Sequence, residues 1–432
     1  MNRFSKLFFL LATGCMFLSA GAQQKFVTVK KQQFFINGKP YRYAGVNMWY
    51  ATLLAAGNDA GKQRLVKELD FLQQNGVNNI RVLIGSQDGT KKINGVLPVH
   101  PAAQTAKATY DETILQGMDF LLQQLEKRKM YGVFYFSNNW EWSGGFLQYL
   151  NWNKQLDDTT MAKKLEWENY RDIVSRFYSC SGCMEDYFSF VKKVLQRTSS
   201  ISKKKYSESP AVMAWEIANE PRPMRPAAVT AYKNFIQKSA ALTRSLDKNH
   251  LITTGVEGYI GTENIGVFEA IHKDPNISYA TIHIWPKNWG WYHDSSFVKD
   301  FSTVIQNTRH YISIHDSVMQ RMQKPLVAEE FGLPRDGFLF TPGSATQYRD
   351  RYVEMMLQQL TTKKITALAG INCWAFGGYG IPAANETPFW REGDDLLGDP
   401  PMEEQGLNTV FAADISTWQL IKKYTAVLNK IP

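Results

Sequence analysis

Cysteine is scarce in this chain, with four residues in 432. Four cannot make a disulfide-rich scaffold, and no Cys/His grouping has the paired spacing of a structural zinc site. No apolar run after residue 22 is long enough to span a bilayer. There is no H-E-x-x-H, no G-x-x-x-x-G-K-[ST] loop, and no G-x-G-x-x-G behind a strand-like run. Neither a metal nor a nucleotide or other cofactor is therefore expected. The net charge is +9, but the positive residues are scattered. The densest run, Lys203-Lys204-Lys205, reads as a solvated loop rather than a nucleic-acid patch, so no nucleic-acid partner is expected.

What is present is a globular composition, 44% hydrophobic and 21% charged. Residues 1–22 stand apart. Arg3 and Lys6 precede an apolar run from Leu7 to Leu18, and Ala20-Gly21-Ala22 offers a small-residue cleavage site. Together these read as a secretory signal, which predicts a secreted, periplasmic or cell-surface protein starting at Gln23. A lipidated Cys15 is the alternative, although Ala12-Thr13-Gly14 lacks the usual Leu. Removing Arg3 and Lys6 lowers the net charge of +9 by two, to +7. Export leaves Cys180, Cys183 and Cys373. Cys180 and Cys183 are expected to form a small structural disulfide. Cys373 reads as a buried small hydrophobe.

The remainder alternates short apolar runs with amphipathic ones. Candidate strands are 41–48, 79–84, 131–136, 212–218, 251–256, 279–284, 326–331 and 370–376. Their near-continuous apolarity suits parallel strands buried on both faces. Helical faces lie between them: Leu65, Leu69 and Leu72; Leu115, Met118, Leu122 and Leu125; Tyr352, Met356 and Leu360. A last helix is expected at 415–428. The helix between Val256 and Tyr279 has the weakest pattern. Eight βα units without a linker predict one (β/α)8 TIM barrel over 23–432. Long connections follow the third and eighth strands, and loops of that length are usually functional.

Two of the strands end on carboxylates: Trp215-Glu216-Ile217-Ala218-Asn219-Glu220-Pro221 and Ala328-Glu329-Glu330-Phe331-Gly332. An unpaired buried carboxylate costs several kcal/mol. The C-terminal strand ends are where such barrels build active sites. Two Glu meeting across a cleft can cleave a glycosidic bond, one as acid and one as nucleophile. Structural ion pairing is the alternative for either alone. Alternation puts Glu329 and Glu330 on opposite faces, so one should enter the pocket and the other pair with a cation near the helix layer. Glu216 shares parity with Glu220 and is expected inside the barrel. Arg81 is the natural cationic partner. Nine of the twelve Trp, including Trp49, Trp140, Trp285 and Trp374, fall at or after strand ends. Trp167, Trp215 and Trp418 read as core. Flat aromatic faces beside polar groups suit sugar rings. His283 ends the sixth strand at the same rim.

These segments resemble the glycoside hydrolase family 5 β-mannanases from about Phe26 to the C-terminus. Further matches are Asn138-Asn139-Trp140, Ser245 through His250, Ile282-His283 and Trp374-Ala375-Phe376-Gly377-Gly378. The resemblance implies endo-cleavage of β-1,4-mannan with retention. It implies Glu220 as acid/base, Glu330 as nucleophile, and Asn219 as partner of the sugar 2-hydroxyl. Arg81 and His283 would orient the carboxylates, Trp374 would floor the cleaved sugar, and Arg222 would face the leaving group. It also implies a cis Trp374–Ala375 peptide. The family usually has Tyr where Trp285 stands, which puts that hydrogen bond in doubt. The expected partner is a β-mannan or manno-oligosaccharide, bound by a monomer. A β-1,4-glucanase, an exo-acting mannosidase and an inactive glycan-binding protein are the alternatives.

Overall fold

The computed structural model describes residues 24–362, 364–383 and 388–430. The apolar leader and Cys15 lie outside them. Eight parallel strands form one sheet: β1 Tyr43–Asn47, β2 Asn79–Leu83, β3 Tyr131–Tyr135, β4 Val212–Glu216, β5 Leu251–Thr253, β6 Ala280–Ile284, β7 Leu326–Phe331 and β8 Leu368–Cys373. Their order is 5-4-3-2-1-8-7-6. Individual bonds rather than a full ladder join β5 to β6. Ser278 N–H donates to the Ile252 carbonyl at 2.8 Å, and His283 N–H to that of Glu257 at 3.1 Å. The hydroxyls of Thr253 and Thr281 donate to the Tyr279 and Val256 carbonyls. The expected (β/α)8 barrel is the observed fold.

Each strand is followed by a helix: α1 Asp59–Gln74, α2 Glu112–Arg128, α3 Ser181–Leu195, α4 Val229–Leu246, α5 Ile265–His272, α6 Phe297–Met322, α7 Gln347–Thr361 and α8 Ile415–Leu428. In α2, Asp111 caps the first turn through the Thr113 N–H at 2.7 Å, and Lys127 and Arg128 lie in the last turn. Both placements favour the helix dipole. Leu115, Met118, Leu122 and Leu125 are buried, each contributing about 1.5–3 kcal/mol of apolar burial.

The first candidate strand divides at Arg42. Lys39–Tyr41 joins Val27–Lys30 and Gln33–Ile36 in a three-stranded antiparallel sheet, and only Tyr43–Asn47 enters the barrel. Val27, Phe34 and Tyr41 pack against barrel residues including Tyr131, Met213 and Tyr279. The eighth strand starts earlier than expected, at Leu368, and ends at Cys373. Phe376–Gly378 pairs instead with Val410–Phe411. The long connection after β3 is built of short helices, among them Gly145–Trp152 and Trp167–Ser175. Cys180 and Cys183 form a disulfide at the start of α3, and Cys373 is buried and free.

Candidate active site

The strand C-termini surround a cavity of about 320 Å³. Its walls include Glu220, Glu330, Asn219, Arg222, Trp140 and Trp374. Glu220 follows β4, and backbone hydrogen bonds continue past the strand proper. Asn219 N–H donates to the Ser137 carbonyl at 2.8 Å, and Glu220 N–H to that of Gly255 at 2.9 Å. Glu220 is in the left-handed region, φ 50°, a conformation that costs about 1 kcal/mol or more in a non-glycine residue and clusters at functional sites. At Gly255 (φ +76°) a Cβ would lie 2.0 Å from the Ala218 carbonyl and 2.3 Å from Glu216 Oε1. Only glycine lets β5 lie this close to β4 beside that carboxyl.

Arg81 is fully buried at the centre. Nε and Nη2 hold Glu216 as a fork, at 2.9 and 2.5 Å. Nη1 reaches Glu330 Oε1 at 2.5 Å and Asn47 Oδ1 at 3.1 Å; Nη2 also reaches Asn219 Oδ1 at 2.8 Å. Asn219 then donates to Asn138 Oδ1 at 3.0 Å. His283 Nδ1 lies 2.6 Å from Glu220 Oε1 and 3.4 Å from Glu330 Oε2. Trp140 Nε1 donates to Glu220 Oε2 at 2.5 Å, and Trp285 Nε1 to Glu330 Oε2 at 3.2 Å. The indole in the usual Tyr position does reach the carboxylate. The Trp374–Ala375 peptide is cis, as the resemblance implies.

Burial raises the pKa of both Glu220 and Glu330. Arg222 first and Trp140 next oppose it at Glu220, and Arg81 opposes it at Glu330, where burial raises the pKa further. The direct 2.5 Å guanidinium contact is what favours the carboxylate at Glu330 and leaves the proton to Glu220. His283 is pushed well below the usual range, by burial first and then by Arg81, so its imidazole is neutral. Ligand-type atoms of Glu220, His283 and Glu330 lie within 4.8 Å of one another. Both carboxylates already accept N–H donors, and the Arg81 charge lies against Glu330. The trio is organised as hydrogen-bonded acids rather than as a cation cage.

Three expectations need correction. Glu329 does not face the helix layer. Ile282 pairs with Ala328 but His283 with Glu330, so Glu329 is an extra residue in β7. This bulge breaks alternation and turns both carboxyls inward. Trp49 does not reach the cleft. It is 1% exposed, donates to the Gly398 carbonyl at 2.9 Å and packs edge-on against Trp142. Trp167 is not core but 47% exposed. It lines the cavity with its ring near parallel to Trp140 and Tyr170.

Two further carboxylates, which the sequence reading does not single out, line the cavity. Glu257 follows β5 and grips Arg222, with Nη2 to Oε1 at 2.6 Å and Nε to Oε2. Arg222 lies over the Trp140 ring. Glu257 follows an apolar strand, as Glu220 does. Glu403 lines the cavity from the loop after β8, which carries no periodic pattern.

The family model described as GH family 5 beta-mannosidase-like matches residues 24–432. The chain belongs to that family. It is a glycoside hydrolase on the family 5 barrel. Similar proteins include mannan endo-1,4-beta-mannosidase 7 of Arabidopsis thaliana, 26% identical over 82% of this chain and 81% of the relative. Mannan endo-1,4-beta-mannosidase 4 of Solanum lycopersicum is 25% identical over 95% and 94%. The crystal structure of the glycoside hydrolase family 5 mannosidase from Rhizomucor miehei superposes with TM-score 0.83 at 26% identity, covering 95% of this chain and 99% of that one. In this family 5 hydrolase, Glu220, just past β4, and Glu330, near the end of β7, are brought together as the sequence suggested.

Proposed function

We propose that this hydrolase is an exported endo-β-1,4-mannanase that cleaves mannan, glucomannan or galactomannan by retaining double displacement. The observation that carries the mechanism is the proximity of the two acids, whose ligand-type oxygens lie within 4.8 Å. Retaining pairs stand about 5–5.5 Å apart, whereas inverting pairs leave about 6.5–9.5 Å for a water. Glu330, held by Arg81, attacks the anomeric carbon. Glu220 protonates the leaving oxygen, then removes a proton from the water that hydrolyses the glycosyl ester. Trp374 offers an aromatic floor, and the free amide proton of Asn219 a donor for the sugar 2-hydroxyl. The mannan preference is supported by the curated relatives. Export is supported by the leader pattern and by the Cys180–Cys183 disulfide, which suits an oxidising compartment.

A second reading is release of short units from chain ends. The compact cavity, bordered by Met402 and Glu403, favours it, as does the overlap with the Rhizomucor mannosidase. The test is reducing-sugar release and product length from linear mannan, galactomannan and carboxymethylcellulose, using residues 23–432 and a Glu330→Ala control. Mixed oligosaccharides from mannan support endo action, and mannose or mannobiose alone the second reading. Activity on cellulose alone, or on none, contradicts the mannan assignment.

A further inference from the structure

Beneath the acid pair lies a group with no role in the mechanism above. Glu329 is fully buried, and neither carboxyl oxygen has a hydrogen-bond partner among the described residues. Its Oε2 lies 3.5 Å from Arg81 Nε and 3.8 Å from His283 Nε2. Neither gives it a hydrogen bond. A guanidinium has five N–H donors, and Arg81 directs all five at Glu216, Glu330, Asn47 and Asn219. His283 is the neutral imidazole. The other groups facing this space are the buried phenols of Tyr43, Tyr135 and Tyr279, which burial keeps protonated. Glu330 and Glu216 add only negative charge. The carboxyl groups of Glu329 and Glu216 crowd the same Arg81 Nε, at 3.5 and 2.9 Å. Two like charges crowded on one buried N–H favour a proton on one of them.

We propose that Glu329 is a positioning residue held as the neutral acid beside Glu216, so that Arg81 can hold Glu330 as the nucleophilic carboxylate. The inference rests on the roles proposed for Glu220 and Glu330. With Glu329 ionised, three carboxylates would compete for one guanidinium, and the nucleophile would be the one most exposed to protonation. The bulge in β7 is what delivers Glu329 to this position. Burial first and the neighbouring Glu216 charge next push its pKa upward, and the Arg81 charge opposes them without prevailing.

The direct test needs no substrate and so stands apart from the mannan reading. Infrared spectra of wild type and Glu329→Gln at neutral pH should differ by loss of a protonated-carboxyl carbonyl band. If Glu329→Gln does not fold, Glu329→Met removes the same proton and serves equally. Kinetically, Glu329→Gln keeps kcat within about threefold of wild type and leaves the acid limb of the pH profile in place, because a neutral isostere preserves the charge balance. Glu216→Gln, which breaks the Arg81 fork, lowers kcat by about 100-fold or more. Absence of any lost band shows an ionised Glu329 and overturns the proposal. So does a folded Glu329→Gln whose kcat drops about 100-fold or whose acid limb moves by about one pH unit.

Discussion

Among single residues, Glu220 and Trp140 offer the sharpest test. Glu220→Gln should lower kcat by about 10²–10⁴ on mannan, the usual worth of a positioned general acid. The loss should shrink on a mannoside whose leaving group needs no protonation. Steady-state kinetics on both substrates checks this. Trp140 donates to Glu220 Oε2 and so favours its carboxylate form. Trp140→Phe removes that donor and raises the acid's pKa. Activity is lost as pH rises through that pKa, so the basic limb of kcat/KM should move to higher pH. A shift to lower pH would contradict the assignment. The residue types were legible because charge at the end of an apolar run has a cost that demands a reason. Glu257 carried the same signal. Glu403 and the exposed face of Trp167 did not, because a helical or loop Trp looks alike in sequence whether it meets core or cleft.

Among the elements, strand ends proved more legible than strand registers. Six of the eight candidate strands fall on one observed strand each, and the eighth runs from β8 into Phe376, which pairs with Val410. The first joins two, because a turn at Arg42 separates a hairpin edge from the barrel. The bulge at Glu329 could not be read from β7 alone, since it is defined by the pairing with β6. The segment Ser245–His250 does have a structural explanation. Asp247 accepts from Trp215 Nε1 at 2.7 Å, His250 Nδ1 at 2.6 Å and the backbone of Asn249 at 2.8 Å. This ties β4 to the start of β5. Burial opposes ionisation, but the His250 and Trp215 hydrogen bonds prevail and hold the pKa at about 2. A pKa depressed below its unfolded value stabilises the fold above about pH 4, and that stability is lost as pH falls toward 2, a contribution of about 2 kcal/mol. Asp247→Ala should therefore be destabilised by at least that amount at pH 7, with the gap to wild type narrowing at pH 3. Denaturant titrations at the two pH values would show it, and a pH-independent gap would contradict it.

At the scale of the whole molecule, the βα alternation made the barrel legible, while the covering of its lower end depended on which residues the hairpin met. Deleting residues 24–41 would uncover Tyr131, Met213 and Tyr279. The truncated chain should lose several kcal/mol, at about 1.5–3 kcal/mol for each large apolar side chain left exposed. A lower melting temperature with the site residues unchanged is the expected result. The central claim remains that Glu330 is the nucleophile of a retaining pair, and trapping tests it most directly. A 2-deoxy-2-fluoro-mannosyl fluoride should glycosylate the protein once, with loss of fluoride, and mass spectrometry of the peptide spanning Leu326–Phe331 should place the sugar on Glu330. An adduct on Glu329, or no adduct from an active enzyme whose product is inverted, would contradict it.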